Sequence, residues 1–320
     1  MKKLAAMVLL LGVMAHPAFS ADDYHLLKKI PIPGTGSWDY LTVDESARRL
    51  YVSHGMQVEV LDVDSGAIVG QIPNTPGVHG IAIAPELGRG FVSDGQSSTV
   101  TIFDLKTLKR IGEVPTGKKP DAIIYDPATS RVFAFNGGSN SSTVIDAAAD
   151  GKVAGTIDLG GGPEFATADG KGSVFDNLED ESLVLKIDAR KLTVEQRWKT
   201  APCESPSSMA MDRPNRRLFI GCRSHLMAVM NADTGQVMTT LPIGDHVDAT
   251  VFDPGTRLIF NSNGDGTISV IHEDSPDQYS AVGTVKTLPR AKTMALDPKT
   301  HSLFLSTAEA GQFEVLVVGK

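Results

Sequence analysis

Seven residues, Asp39, His79, Asp121, Glu164, Ser207, Asp248 and Lys292, each open a similar β-patterned segment, and together they hold most of the reactive chemistry in the chain. Carboxylates brought close together raise one another's pKa or attract a cation. Asp121, Glu164 and Asp248 supply hard oxygen ligands suited to Ca²⁺ or Mg²⁺. Adding His79, with His246 just before Asp248, turns the set towards Zn²⁺ or another transition metal. A second chemistry uses His79 beside Asp121 or Glu164 as a general base, with Lys292 or Arg223 stabilising an anion, as lactone or ester hydrolysis would need. The bland alternative is a water-filled opening lined by ordinary polar side chains. No motif selects catalysis: G-x-S-x-G and H-E-x-x-H are absent, and GGGP at Gly160 does not lie between a strand and a helix.

The elements that position these residues repeat. The leading residues fall at 39, 79, 121, 164, 207, 248 and 292, so successive units are 40 to 44 residues long. Each unit reads as four short strands. In the clearest, these are Gly80 to Ala84, Gly90 to Ser93, Thr99 to Phe103 and Arg110 to Val114. Turns rich in Asp, Pro and Gly, such as DPATS at Asp126 and DPGT at Asp253, separate the first two runs. Four strands per unit and seven units predict an all-β, seven-bladed β-propeller of antiparallel sheets. The seventh unit lacks a fourth strand, and LLKKIP from Leu26 matches that pattern, so the N-terminal strand is expected to close the last blade against Phe313 to Val318.

Strand alternation then places the leading residues around one mouth of the central channel. The second strands end YVSH, FVSD, FAFN, VFDN, FIGC, IFNS and FLST, so His54, Asp94, Asn136, Asn177, Cys222, Ser262 and Thr307 are expected further out on the same face. The predicted ligand-binding face comprises Trp38, Asp39, His54, His79, Asp94, Asp121, Asn136, Glu164, Asn177, Arg223, His246, Asp248 and Lys292. Trp38 either stacks on a ligand or fills a gap between blades, and Tyr40, His54 and His225 carry the same ambiguity.

Those strand endings resemble the YVTN-repeat, or YncE-like, family of seven-bladed propellers, across about residues 22 to 320. The resemblance implies an exported binding or scaffold protein. Related propellers accompany quinone-dependent oxidoreductases, and a lactonase group shares the shape, so an accessory redox subunit and a hydrolase, lactonase or lyase stand as alternatives. No C-x-x-C-H is present for covalent haem.

Lys2 and Lys3, the apolar run from Leu4 to Met14 and the sequence Ala18-Phe19-Ser20-Ala21 read as a secretory signal peptide over residues 1–20, leaving 21–320 as one propeller domain in the periplasm or outside the cell. That apolar run is too short to span a bilayer, and none follows. Loss of the two lysines takes the formal charge from −8 to −10, which disfavours nucleic acid and leaves a protein or small molecule as partner. A closed ring of blades needs no second copy, so a monomer is expected. Cys203 and Cys222 flank one hairpin on one face, and an exported chain with two cysteines is expected to join them.

Overall fold

The computed structural model describes residues 23–149 and 151–320, so the expected signal peptide lies outside the described residues. Among the described residues the chain forms seven separate four-stranded antiparallel sheets. Six are built from consecutive strands, in blades spanning residues 41–73, 78–115, 120–158, 163–199, 206–242 and 247–286. The seventh is ordered His25–Pro31, Gln312–Gly319, Ser302–Glu309, Met294–Asp297, with His25 opposite Gly319 and Pro31 opposite Glu314. The N-terminal strand therefore closes the last blade, in the expected register apart from a bulge between Leu26 and Lys28. No α-helix occurs among the described residues, and no helix there is long and apolar enough to cross a membrane.

Local chemistry explains the turns. Asp126, Asp253 and Asp297 each accept from the hydroxyl of the Thr three residues on, at 2.7, 2.7 and 2.6 Å, and from a backbone N–H in the turn. The Asp side chain thus supplies the partners a tight turn leaves unmatched.

Core packing explains how a chain with 6% aromatic residues fills seven gaps between blades. At one equivalent position of every second strand stands a buried ring: Tyr51, Phe91, Phe133, Phe175, Phe219, Phe260 and Phe304. Each lies opposite the residue three places beyond the leading one, as in the pairs Thr42–Tyr51 and Thr167–Phe175. The register corrects the fourth and sixth units by one residue. Their matching segments are Phe175–Leu178 and Phe260–Asn263, so Leu178 and Asn263, rather than Asn177 and Ser262, occupy the strand-end position.

Hydroxyls stitch neighbouring blades together close to the channel. Thr42 donates to the Ile81 carbonyl at 2.6 Å, Ser207 to Val247 at 2.7 Å, Ser262 to Ala291 at 2.8 Å and Thr293 to Asp39 at 2.6 Å. The last of these joins blade seven to blade one at the leading residue itself, so ring closure also fixes the carbonyl end of Asp39.

Candidate functional site

The leading residues gather at one mouth of the channel and sort into two groups. In the first, His79 Nδ1 lies 2.6 Å from Asp39 Oδ2 and 3.6 Å from Asp121 Oδ1. In the second, Lys292 Nζ pairs with Asp248 Oδ2, whose other oxygen lies 3.3 Å from Arg223 Nη2, and the same Arg223 nitrogen is 3.9 Å from Glu164 Oε1. Arg223 Nε also donates to Glu179 Oε1. Ser207 belongs to neither group, because its hydroxyl is spent on the Val247 carbonyl and the residue is buried.

Backbone geometry aims these side chains. Two residues before the leading position, Gly77, Lys119, Ser205, His246 and Arg290 all have left-handed φ, from 51° to 70°. Four of their carbonyls accept a hydrogen bond from the residue just past a second strand: Gly95 N–H to Gly77 at 2.9 Å, Gly137 to Lys119 at 3.0 Å, Arg223 to Ser205 at 3.0 Å and Gly264 to His246 at 2.9 Å. The position past the second strand is glycine in blades one, two, three and six. A Cβ on Gly95 would come within 2.8 Å of the His79 ring, so that glycine makes room for the imidazole. Blades four and five carry Glu179 and Arg223 there instead, and these two pair across the blade boundary above the ring. Sequence reasoning named Arg223 but missed Glu179. The signal was the break in the glycine pattern.

Burial and crowding retune the groups. Desolvation opposes protonation of His79, but the Asp39 hydrogen bond and the fields of Asp121, Asp39 and Glu164 outweigh it and raise its pKa to about 9. Asp121 is pushed up to about 6 by burial and by Asp39, with His79 working against the shift. Glu164 is pushed up to about 9 by burial, then by Asp121, Glu179 and Asp248, so at neutral pH it holds its proton. Asp248 is raised by burial, with Lys292 opposing. At neutral pH His79 is therefore a charged donor rather than a base, and Glu164 is the proton-bearing carboxyl of the ring.

The cation set differs from the expected one. Asp39, His79 and Asp121 each bring one ligand atom within 4.8 Å of the others. Asp248 is instead engaged with Lys292 and Arg223, and Glu164 keeps its proton at neutral pH, which leaves both poor metal ligands. The strand-end residues are also placed differently. His54, Asp94, Asn136 and Asn177 are buried and do not form the exposed rim of the face. His54 stacks on Phe313 at 4.4 Å and faces Glu59; Asp94 accepts from Thr101 at 2.6 Å; Asn136 donates to Thr143 at 3.1 Å; Asn177 donates to the Ser208 carbonyl at 3.1 Å. The alternating strand carries them into the seams between blades. Cys222 is likewise buried and joined to Cys203 by a disulfide.

Two cavities open on this face, both touching Ser37 and Trp38. The larger, about 820 Å³, has Asp39, His79 and Asp121 on its inner wall and exposed Lys118 and Lys119 at its rim. The smaller, about 320 Å³, is lined by Arg223, His246, Arg290 and Lys292. Trp38 stacks on Phe313 at 5.8 Å and carries the Arg290 guanidinium 4.6 Å from its ring centroid, so it is packed between blades and borders both cavities. Below the ring, Tyr40 of blade one meets Phe165 of blade four at 5.4 Å, a contact that must cross the channel. Burial and the surrounding carboxylates push the Tyr40 phenol well above its usual range, so it stays neutral.

No protein-family profile matches the sequence, and no curated protein matches it. Solved structures do match in fold. A chain of the mitotic checkpoint complex superposes with a TM-score of 0.81 at 16% identity, over 100% of this chain and 99% of that one. U3-55K gives 0.79 at 10% identity, and the RRP9 WD40 repeats give 0.77 at 10%, each over 94% of this chain and 99% of the other. At these identities the likeness is one of architecture: this chain is a seven-bladed propeller of the WD40-like kind.

Proposed function

We propose that this is an exported binding protein that captures a protein or small-molecule ligand on the channel-mouth face, and that its kinship is with YVTN-repeat propellers. The observation that carries the reading is the convergence of charged side chains on one mouth of the channel, where Asp39, His79 and Asp121 wall a cavity of about 820 Å³ and Arg223 and Lys292 line a second of about 320 Å³, held by ion-pair contacts before any ligand arrives. The neighbours in fold include a chain of a multiprotein assembly, in keeping with a scaffold that works through contacts. Export is supported by the basic and apolar leader at Lys2 to Met14 and by the Cys203–Cys222 disulfide, which persists in oxidising compartments. A divalent cation held by Asp39, His79 and Asp121 is a ligand of the same face.

Capture from periplasmic extract on immobilised protein, compared with Asp121→Asn and His79→Gln, tests the reading. The bound species should be lost from both variants and retained by a variant on the opposite face, such as Lys299→Ala. Equal capture by all of them would overturn it. The hydrolytic alternative draws on one specific feature, the split between Glu164 at about 9 and Asp121 at about 6, which assigns a donor and an acceptor. Turnover of ester or lactone substrates abolished by Glu164→Gln would favour it.

A further inference from the structure

We propose that the smaller cavity beside Trp38 is an oxyanion site, which receives a carboxylate or phosphate group of the ligand while the ligand's body extends into the larger cavity. This rests on the reading of the face as a binding surface and names the chemistry of one part of it. Arg223, Arg290 and Lys292 line the pocket with His246, and no carboxylate lines it. The acids that neutralise two of these cations stand behind them: Asp248 holds Lys292 and Arg223, and Glu179 holds Arg223. Cations restrained from behind meet an incoming anion without first being ordered.

Arg290 is different in kind. It is exposed, and among the described residues its guanidinium has no carboxylate within ion-pair distance. It lies over the Trp38 ring, 4.6 Å from the centroid. Its backbone is pinned by a left-handed φ of 70° and by its N–H donating to the Gly264 carbonyl at 2.9 Å, while the Gly264 N–H donates to His246. A Cβ on Gly264 would stand 3.0 Å from His246 Cβ, so the glycine relieves a tight contact there. An arginine stacked on an indole presents its donor edge outward in a planar fork, the geometry that matches two oxygens of one anion. On a chain of formal charge −8, a wall of three cations is a local exception. Asp245, 3.7 Å from His246 Nε2, is not among the residues that line the pocket. Because Ser37 and Trp38 border both cavities, an anion seated here leaves the remainder of a small molecule, or the chain of a peptide ending in a carboxylate, directed over Asp39 and Asp121.

Titration calorimetry at fixed ionic strength in chloride, with inorganic phosphate and with succinate as probes, tests the site on the whole protein. At least one probe should bind saturably at one per chain, about tenfold more weakly in Arg290→Gln and at intermediate strength in Arg290→Lys, which keeps the charge but loses the fork. Lys299→Ala, on the opposite face, should leave that affinity within twofold. Phosphate alone would assign a phosphate ester, and succinate alone a carboxylate. A thermal melt of Arg290→Gln matching the wild type establishes that the variant is folded. Absence of saturable binding by either probe at millimolar concentration, or equal affinity in Arg290→Gln, would overturn the proposal. If ligand capture were still lost in Asp121→Asn and His79→Gln, the reading of the face would stand without the oxyanion site.

Discussion

Replacing Asp176 by valine should make the protein more stable, and by an amount the structure sets. Asp176 lies on the second strand of blade four, opposite Ala166, with no exposed surface and with neither carboxyl oxygen hydrogen-bonded. The equivalent residues of five other blades are Val52, Val92, Ala134, Ile220 and Leu305, each buried at the same register. Burial, with Glu164 nearby, pushes the Asp176 carboxyl well above the usual carboxylate range, so it is protonated in the fold. An unpaired buried polar group costs ~1–3 kcal/mol, and a valine side chain adds about 1 kcal/mol of apolar transfer. The sum is ~2–4 kcal/mol. With an unfolding entropy of ~2.1 cal/mol/K per residue over a chain of this length, calorimetry should show the midpoint rising by ~3–6 °C at pH 7. A carboxyl that is protonated folded and ionised unfolded subtracts stability as pH rises above its unfolded value near ~4. The gain from valine must therefore be larger at pH 7 than at pH 4. A destabilised Asp176→Val, or a gain independent of pH, would refute the reasoning and mark the carboxyl as a group with a job.

The wild-type protein should itself be most stable in mild acid. Asp94 and Asp121 at about 6 and Glu164 at about 9 lose stability as pH rises above ~4, while His79 contributes below ~6.5 and loses its contribution as pH passes 9. Asp169, buried but held low by turn N–H groups and Arg216, and Asp297, likewise buried but held low by Arg48 and Thr300, lose theirs as pH falls below ~4. Melting profiles should accordingly peak near pH ~4, and a peak above 7 would contradict these assignments. Gly95→Ala should push the His79 ring off Asp39 and lower its midpoint from about 9, as read by NMR titration of the imidazole. Zn²⁺ binding to Asp39, His79 and Asp121 should release the His79 proton and tighten by about tenfold per pH unit between 6 and 9, measured calorimetrically in two buffers of different ionisation enthalpy. Cys203→Ser with Cys222→Ser should cost ~3 kcal/mol on the loop-entropy scale, for a separation of 19 residues, in denaturant melts.

The architecture was legible because spacing and turn chemistry repeat in the sequence itself: the leading residues, the Asp-capped turns and the N-terminal closing strand all follow from pattern. The strand endings were legible only in part. VFDN and IFNS look like the other endings when aligned on their polar tails, but packing aligns them on the buried ring, at Phe175 and Phe260. Side-chain direction was the harder matter. His54, Asp94 and Asn136 are polar and lie near the mouth, yet a period of two along the strand turns them into the seams, where Glu59, Thr101 and Thr143 receive them. Glu179 and the pocket around Arg290 depend on loops from different blades meeting in space, which no single repeat encodes.

The contact of Tyr40 with Phe165 beneath the charged ring makes the axis a blind well. Whatever visits must depart by the door it came through, so residence ends by loosening at the rim rather than by passage to the far side.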